Sequence, residues 1–247
     1  MTMPRRVGVE ILDGLEPTDP AAERSRRDLR RVHRAMGTRS ILLRALRQLK
    51  PPGADAATFR VLELGAGDGT LMLGVARDMA PWWPPVELTL LDRQSLVDAE
   101  TIADFAGLGW TAGVDVVDAL DWAGSSSGSR PRGNQTARWD LIIANLFLHH
   151  FEGAQLGALL GAVAAGGDRF VACEPRRDWV SLAGSHMVGA IGAGEVTRTD
   201  AVLSVHAGFR GNELSAQWAA NGRDWRVQEY RAGPFSHCFC AEQAESN

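Results

Sequence analysis

The clearest signal of fold in this 247-residue chain is Val61-Leu62-Glu63-Leu64-Gly65-Ala66-Gly67-Asp68-Gly69-Thr70. An apolar run that carries one acid leads straight into a glycine-rich turn, and residues 71–76 have the composition of a helix start. This order predicts a buried parallel strand, a tight turn and a helix N-terminus, which together form the first unit of a doubly wound α/β sheet. Glycines permit positive φ angles in the turn, and the unpaired N–H groups of the first helical turn face a ligand there.

Glycine-rich turns also occur in proteins that bind nicotinamide or flavin dinucleotides. Their spacing, G-x-G-x-x-G, requires a third glycine at position 70, where this chain has Thr70. An acid two residues before the first glycine, in the order Glu63, Gly65, Gly67 and Gly69, instead resembles the first motif of class I S-adenosylmethionine (SAM) methyltransferases. That resemblance implies a cofactor-binding role for Glu63, Gly65, Ala66 and Gly67.

Length and composition predict one α/β domain with a small appendage. Hydrophobic residues make up 45% of the chain and charged residues 23%, which is ordinary for a globular protein. The net charge of −4 argues against a dedicated nucleic-acid binder, and three cysteines are too few for a disulfide framework. We see no signal peptide and no run of the roughly 18 apolar residues that a membrane span needs. We therefore expect a cytoplasmic protein.

Acids follow the second and third predicted strands. Val86–Leu91 ends at Asp92-Arg93, and an acid about twenty residues past the glycines accepts hydrogen bonds from ribose hydroxyls, with a helix N-cap as the alternative. Arg93 either stacks on the adenine or is exposed. Asp118-Ala119 follows the third strand, and the resemblance implies that Asp118 accepts from the adenine amine while the Ala119 backbone contacts a ring nitrogen. The alternative for Asp118 is a turn acid.

The fourth predicted strand, Trp139–Asn145, leads into Leu146-Phe147-Leu148-His149-His150. It adjoins the first strand at the switch point, where Rossmann-like sheets bind ligands. An acid that opens the strand and a Leu-His-His that closes the segment resemble the fourth motif of many small class I methyltransferases. The resemblance implies that Asn145 lies near the methionine moiety and that His149 or His150 reaches the reacting atom. A structural or capping role for the histidines is the alternative.

The fold class that these elements predict is α/β, a Rossmann-like doubly wound seven-stranded sheet with an antiparallel last strand, plus N-terminal helices. We expect residues 1–57 to form a helical lid and residues 58–247 the SAM-binding domain, with a helical substrate-covering insertion at about 178–220. Residues 123–138 are predicted to form a loop, and helices are predicted over Ala21–Met36, Ser40–Lys50, Asp178–Ile191, Thr199–Phe209 and Asn212 to about Ala220. The segment Glu174-Pro175-Arg176-Arg177, at the end of the fifth strand, is predicted to line the substrate entrance.

The run His237-Cys238-Phe239-Cys240 raises the question of a metal site. Side chains alternate along a strand, so His237 faces one side of the predicted last strand and the two cysteines face the other. A four-ligand zinc site would also lack its other half. We therefore predict no metal.

The resemblance to class I SAM methyltransferases covers about residues 58–175 and, more loosely, the closing hairpin. A narrower likeness to small bacterial methyltransferases of aromatic polyketide pathways rests on Glu10–Asp13, Asp19-Pro20 and Ser25–Arg31. It implies that a methyl group passes in line from SAM to a small-molecule acceptor, leaving S-adenosylhomocysteine (SAH). We expect O-methylation of a phenolic or polyketide-type natural product.

A phenolic hydroxyl benefits from a base, and histidine suits that task. We expect His149 to be the base, with His150 as the alternate and His206 as a weaker candidate. Three other interpretations stay open. The acceptor atom is carbon or nitrogen; the acceptor is a nucleic acid or protein, although Ala144-Asn145-Leu146-Phe147 lacks an Asn-Pro-Pro-Tyr-like motif; or the chain only binds SAM or NAD. No nucleic-acid partner is expected, and a homodimer is left open.

Overall fold

A computed structural model describes residues 3–49, 58–125, 138–218 and 224–244. The described strands are Phe59–Leu64 (β1), Val86–Asp92 (β2), Trp110–Val116 (β3), Leu141–Asn145 (β4), Arg169–Pro175 (β5), Trp225–Ala232 (β6) and Ser236–Gln243 (β7). The described α-helices are Pro20–Met36 (α1), Thr38–Leu46 (α2), Thr70–Met79 (α3), Ala99–Gly107 (α4), Ala119–Gly124 (α5), Gly153–Gly166 (α6), Trp179–His186 (α7) and Glu195–Ala207 (α8).

The seven strands form one sheet in the order β3-β2-β1-β4-β5-β7-β6. Strands β1 to β5 pair in parallel, whereas β7 runs antiparallel to both of its neighbours. The chain order reverses between β1 and β4, so the carboxyl ends of these two strands flank the switch point. The predicted Rossmann-like doubly wound sheet with an antiparallel last strand is confirmed.

Both faces of the central strands are covered by helices. Val61 and Ile143 pack in a core with residues of α2 and α3, whereas Leu62 and Ile142 pack in a second core with residues of α5 and α6. Because successive side chains of a strand point to opposite faces, burial on both faces needs an unbroken apolar run. The sequence of β1 has that run from Val61 to Leu64, interrupted only by Glu63.

Helix α1 begins and ends where its sequence predicts. Asp19 caps it by accepting the Ala21 N–H at 2.7 Å, and Gly37 ends it with a φ of 69°. Two polar side chains of its buried face attach it to the region of α8. The Ser25 and Thr197 hydroxyls lie 2.9 Å apart, and Asp28 accepts the Gly194 N–H at 2.8 Å. This attachment holds α1 over the carboxyl edge of the sheet.

Several predicted boundaries differ from the structure. The helix predicted over Ser40–Lys50 is α2, which begins at Thr38 and ends at Leu46, and Pro51-Pro52-Gly53 lies outside the described residues. The loop predicted over 123–138 also lies mostly outside them, and α5 occupies its start. The insertion predicted as helices Asp178–Ile191 and Thr199–Phe209 contains α7 and α8, with a 3-10 turn at Val188–Ile191.

The helix predicted from Asn212 to about Ala220 is wrong over its described part. Only a 3-10 turn at Ser215–Gln217 forms there. The carboxylate of Glu229 on β6 accepts the N–H groups of Leu214 and Ser215 at 3.0 and 2.8 Å, so a strand side chain takes the donors that a helix cap would use.

None of the helices in the described part of the chain has the length and apolar character that a membrane crossing requires.

Candidate active site

A cavity of about 550 Å³ opens at the carboxyl ends of β1, β2 and β4, and α1, α7 and α8 form its opposite walls. Nine of the eleven residues predicted as site residues line it, and only Asp118 and Ala119 do not. The nine are Glu63, Gly65, Ala66, Gly67, Asp92, Arg93, Asn145, His149 and His150. The predicted residues of β1, β2 and β4 therefore share one cavity.

The two glycines of the turn after β1 serve different purposes. Both have positive φ, 69° at Gly65 and 56° at Gly67. A Cβ added to Gly65 would lie 2.2 Å from Cδ2 of Phe147, so this glycine makes room for an aromatic ring of the protein. A Cβ added to Gly67 would meet no atom within 4 Å, so the Gly67 backbone faces open space. A ligand can therefore lie against the backbone at Gly67.

Asp92 joins the end of β2 to the glycine turn. Its carboxylate accepts the Gly67 N–H at 2.9 Å and the Gln94 N–H at 2.9 Å. The N-cap alternative does not describe it, because the next helix begins at Ala99 and is capped by Asp98. Ribose binding by Asp92 stays a prediction. Neighbouring Arg93 forms an ion pair with Asp13, with 3.2 Å between Nη2 and Oδ1.

Asp118 is the N-cap of α5, whereas the alternative that its sequence left open was a turn acid. Its Oδ1 accepts the Leu120 N–H at 2.7 Å, which caps α5. Ala119 is buried beneath that helix turn, and neither residue reaches the cavity wall. Their contact with adenine stays a prediction from the resemblance.

Two oxygens of the cavity wall are buried without a hydrogen-bond partner, Glu63 Oε2 and Asn145 Oδ1. Burial, reinforced by the nearby charges of Asp92 and Asp68, raises the pKa of Glu63 well above its usual range. Burying a polar oxygen without a donor is unfavourable, so such atoms in a cavity wall point to a ligand. A ligand ammonium group would supply donors and favour the ionised form of Glu63.

Glu174, at the end of β5, is a buried acid that contacts the segment carrying the two histidines. Its side chain is fully buried, and Oε1 accepts the N–H groups of Phe147 and Leu148 at 3.0 and 2.9 Å. Oε2 lies 2.8 Å from Nδ1 of His149. These bonds turn Glu174 inwards to hold the segment after β4, whereas Pro175 of the same predicted entrance segment lines the cavity. A substrate entrance at Glu174-Pro175-Arg176-Arg177 stays a prediction.

His149 lies between two carboxylates. Nδ1 faces Glu174, and Nε2 lies 3.2 Å from Oε1 of Glu10. Burial by itself lowers the pKa of His149, but the hydrogen bonds to Glu10 and Glu174 outweigh burial and raise it to about 9. Burial likewise raises the pKa of Glu10, and the bond to His149 reverses this, so that pKa is lowered. His149 is therefore an imidazolium at neutral pH, with both nitrogens engaged.

His150 has the opposite character. Its ring centroid lies 4.3 Å from that of His149, and its Nδ1 lies 3.4 Å from Oδ2 of Asp13. Burial first, and then the positive charge of His149, lower the pKa of His150 below its ordinary value of 6.5. His150 is therefore neutral at pH 7 and lines the cavity. Two adjacent histidines with separated pKa values are typical of acid–base sites.

Leu146, between Asn145 and the histidines, has a φ of 50° and is the only non-glycine residue with positive φ in the described chain. For a side chain other than glycine this conformation costs about 1–2 kcal/mol. The Leu146 N–H donates to the Cys173 carbonyl at 2.8 Å, which holds the strained turn at the end of β4. Strain of this kind is found at functional sites.

No protein-family model and no curated protein sequence matches this chain. Solved structures do. The plantazolicin methyltransferase BpumL, in complex with SAH, aligns with a TM-score of 0.58 at 12% identity over 92% of each chain. An O-methyltransferase family protein from Burkholderia thailandensis aligns with a TM-score of 0.56 at 15% identity over 94% of this chain and 62% of that one. The CurJ carbon methyltransferase aligns with a TM-score of 0.51 at 16% identity over 85% of this chain and 54% of that one.

This chain has the Rossmann-like methyltransferase fold. The identities of 12–16% make the likeness one of fold, and this chain spans 62% and 54% of the longer two of these structures. The cavity described above occupies the edge of the sheet at which ligands bind in doubly wound folds.

An N-terminal segment packs against the cavity and adds Glu10 and Asp13 to its wall. Asp200 of α8 holds that segment by accepting the Ile11 and Leu12 N–H groups at 2.7 and 3.0 Å. The hydroxyl of Ser204, also on α8, donates to Glu10. Sequence reasoning gave Glu10 no role in the site, because it stands 139 residues before its partner His149.

The cavity wall beyond the histidines is largely apolar. Three arginines line the cavity, and each has a partner within the described chain: Arg26 donates to the Pro17 carbonyl, Arg30 pairs with Asp68 at 2.6 Å, and Arg93 pairs with Asp13. His33, for which the sequence allows a pocket position or the edge of a packed face, lines the cavity, and burial lowers its pKa to about 4. Such a wall favours a neutral ligand. Its apolar members include Leu29, Val32, Met187, Val188, Ile191 and Phe235.

Donor atoms of Glu10, His149 and His150 lie within 4.8 Å of one another, which is close enough to consider a metal ion. In this structure Glu10 and His149 bind each other and His149 binds Glu174, so the geometry is that of a hydrogen-bonded acid–base cluster. At the closing hairpin, His237 lies 2.8 Å from Glu229. The absence of a metal stays a prediction.

Proposed function

We propose that this protein is a SAM-dependent methyltransferase that acts on a neutral small molecule, most simply on the hydroxyl of a phenolic or polyketide-type natural product. The observation that carries the proposal is that one cavity contains two different sets of groups. Glu63, the Gly67 backbone and Asp92 form a cofactor end, and His149 with His150 forms an adjacent charged end. SAM supplies an already activated methyl group, so the protein has to bind, orient and accept a proton.

Each cofactor-binding residue has a physical task in this proposal. Asp92 accepts from the ribose hydroxyls, and Arg93 borders the adenosine. The unpartnered oxygens of Glu63 and Asn145 take the donors of the methionine moiety, the ammonium group above all. The bare backbone of Gly67 and the N-terminus of α3 receive the methionine carboxylate. Asp118 and Ala119 complete the adenine pocket, as the resemblance implies.

We assign the base to His150 and not to His149, which reverses the order expected from sequence. His149 has both nitrogens bound by carboxylates and is already protonated at neutral pH. His150 is neutral and lines the cavity, so it accepts the proton of the acceptor hydroxyl. The fixed positive charge of His149 next to it favours the developing phenolate. His206 does not line the cavity and has no part in the proposal.

Calorimetric titration with SAM, SAH and NADH tests the cofactor. We expect micromolar binding of SAM and SAH, weakened about 10- to 100-fold in Asp92→Ala, because a hydrogen bond to a charged group contributes about 1.5–3 kcal/mol. The matched control is Asp98→Ala, which removes another carboxylate that accepts backbone N–H groups but lies away from the cavity. Tight binding of NADH without SAM would overturn the proposal.

Three further predictions belong to the same proposal. Residues 1–57 act as a lid, supported by the cavity contacts of Glu10, Asp13 and His33. Their mobility is measured by hydrogen exchange with and without SAH, and closure predicts slower exchange in α1 when SAH is bound. A cytoplasmic location and a homodimer are tested by cell fractionation and by light scattering.

A further inference from the structure

Helix α7 and the 3-10 turn after it, Val188–Ile191, separate the cavity from solvent. Their inner face, which includes Ser181, Gly184, Ser185 and Val188, lines the cavity. The adjoining outer face carries large apolar side chains that are exposed: Trp179 by 61%, Val180 by 55%, Met187 by 67% and Ile191 by 42%. We name these four residues the apolar rim.

The apolar rim is a concentration of exposed apolar surface. Nine large hydrophobic side chains are exposed among the described residues, and four of them fall within the thirteen residues from 179 to 191. Single exposed hydrophobic residues are normal on soluble proteins, whereas a contiguous patch marks a binding surface. The other five are spread over separate segments of the chain: Val9, Ile11, Trp82, Val116 and Val117.

The rim is continuous with the cavity. Met187 and Ile191 are exposed and also line the cavity, so the same side chains belong to both surfaces. Val180 of α7, Gly184 of its inner face and Met187, directly after the helix, follow one another at helical spacings of four and three and form one stripe. At 1.5 Å per residue this stripe extends the apolar cavity wall by about 10 Å across the surface.

We propose that the acceptor is amphiphilic, with a hydroxylated ring inside the cavity and an aliphatic chain that leaves it along the apolar rim. This inference rests on the proposed function and names the substrate class of that same site. The cavity of about 550 Å³ has to hold both SAM and the acceptor, so a long chain must leave it. Of the three arginines of the cavity wall, Arg30 and Arg93 are ion-paired with Asp68 and Asp13 and Arg26 donates to the Pro17 carbonyl, so two of the three positive charges are already neutralised before an acidic head group could bind.

A series of para-alkylphenols tests the inference. Binding of 4-methylphenol, 4-butylphenol and 4-octylphenol is measured by calorimetry with the protein saturated with SAH. Each methylene that leaves water for the rim should tighten binding by up to about fourfold, since its burial contributes about 0.8 kcal/mol. Because the rim covers only one side of the chain, we expect the dissociation constant to fall roughly 50-fold or more from the methyl to the octyl compound.

The double variant Trp179→Ser/Val180→Ser removes the outer part of the rim, and neither residue lines the cavity. We expect the preference for 4-octylphenol over 4-methylphenol to fall by at least about tenfold, because two apolar side chains no longer cover the chain. Unchanged affinity for SAH shows that the variant is folded. The control Trp82→Ser removes a tryptophan that is 76% exposed in the connector between α3 and β2, and should leave the preference intact.

If the natural chain does not bind SAH, the proposed function itself is overturned. Normal SAH binding with no dependence on chain length, or a dependence that survives in the double variant, overturns this inference alone. Two further outcomes overturn this inference. In both, the double variant keeps the preference for 4-octylphenol; in one it no longer sediments with phosphatidylserine-containing vesicles as the natural chain does, and in the other its mass in light scattering differs from that of the natural chain. Those results would assign the rim to a lipid surface or to a second copy of the chain.

Discussion

Glu174→Gln lowers kcat/KM for methyl transfer by at least about 10²-fold, which is the range expected when positioned acid–base help is lost. Glu174 accepts the N–H groups of Phe147 and Leu148 and faces Nδ1 of His149, so one carboxylate sets both the backbone turn and the ring. An amide keeps one acceptor oxygen but turns an NH₂ group towards groups that are themselves donors. The histidine pair then loses its orientation and His149 loses a charge partner. Steady-state kinetics with a saturating phenolic acceptor gives the comparison.

Glu229→Gln is the matched control. Glu229 also accepts two backbone N–H groups, from Leu214 and Ser215, and lies 2.8 Å from a histidine, His237, but His237 does not line the cavity, whereas His149 beside Glu174 does. Both variants should lose stability, by about 1–3 kcal/mol for each buried group left unsatisfied, read as a fall in Tm. Only Glu174→Gln should lose activity. Equal losses of activity in both variants would mean that Glu174 acts through stability alone.

His150→Ala lowers kcat by about 10²–10⁴-fold for a hydroxyl acceptor, because the base for the acceptor proton is removed. SAH binding should stay within about twofold, since the cofactor contacts proposed above involve other residues. His206→Ala is the control, because this histidine lies outside the cavity wall. If alanine at both His149 and His150 costs little activity, the acceptor atom is carbon, or an amine that needs no base, and the hydroxyl assignment fails.

The same two histidines predict a bell-shaped pH profile of kcat/KM. His150 must be neutral to accept a proton, and its pKa lies below 6.5, so activity falls on the acid side of that value. His149 must be charged, and its pKa is about 9, so activity falls as the pH rises through about 9. Glu10→Gln removes one of the charges that raise the pKa of His149 and should move the alkaline limb to lower pH. An alkaline limb that does not move would contradict the role given to Glu10.

Local sequence order was enough to predict the fold and the meeting of residues from β1, β2 and β4 in one cavity. An apolar strand followed by a glycine-rich turn and a helix identifies a parallel β-α unit, and the carboxyl ends of parallel strands meet at one edge. Glu63, Gly67, Asp92 and Asn145 each follow or end such a strand, so their convergence on one cavity could be expected. The positions of these residues depend on the direction and order of the strands, which short-range sequence patterns are enough to predict.

Where a side chain had a competing partner, sequence order was a poorer guide. The N–H groups of Leu214 and Ser215 bind Glu229 instead of entering a predicted helix, and Asp118 caps α5. Glu174 turns into the protein although the end of a strand suggested an entrance. In each case the side chain's hydrogen-bond partner depends on tertiary packing, which the periodicity of the sequence does not predict.

The sequence by itself determined the sheet, its switch point, the glycine turn and the presence of two histidines after β4. Only the tertiary structure decided what those histidines are chemically. Glu10 reaches His149 across 139 residues of sequence because Asp200 and Ser204 of α8 hold the N-terminal segment in place. Between two carboxylates His149 keeps its proton, whereas burial first, and then that neighbouring charge, lower the pKa of His150. A pKa depends on burial and on distances through space, so two adjacent residues of one type acquired opposite charge states from neighbours that the sequence keeps far apart.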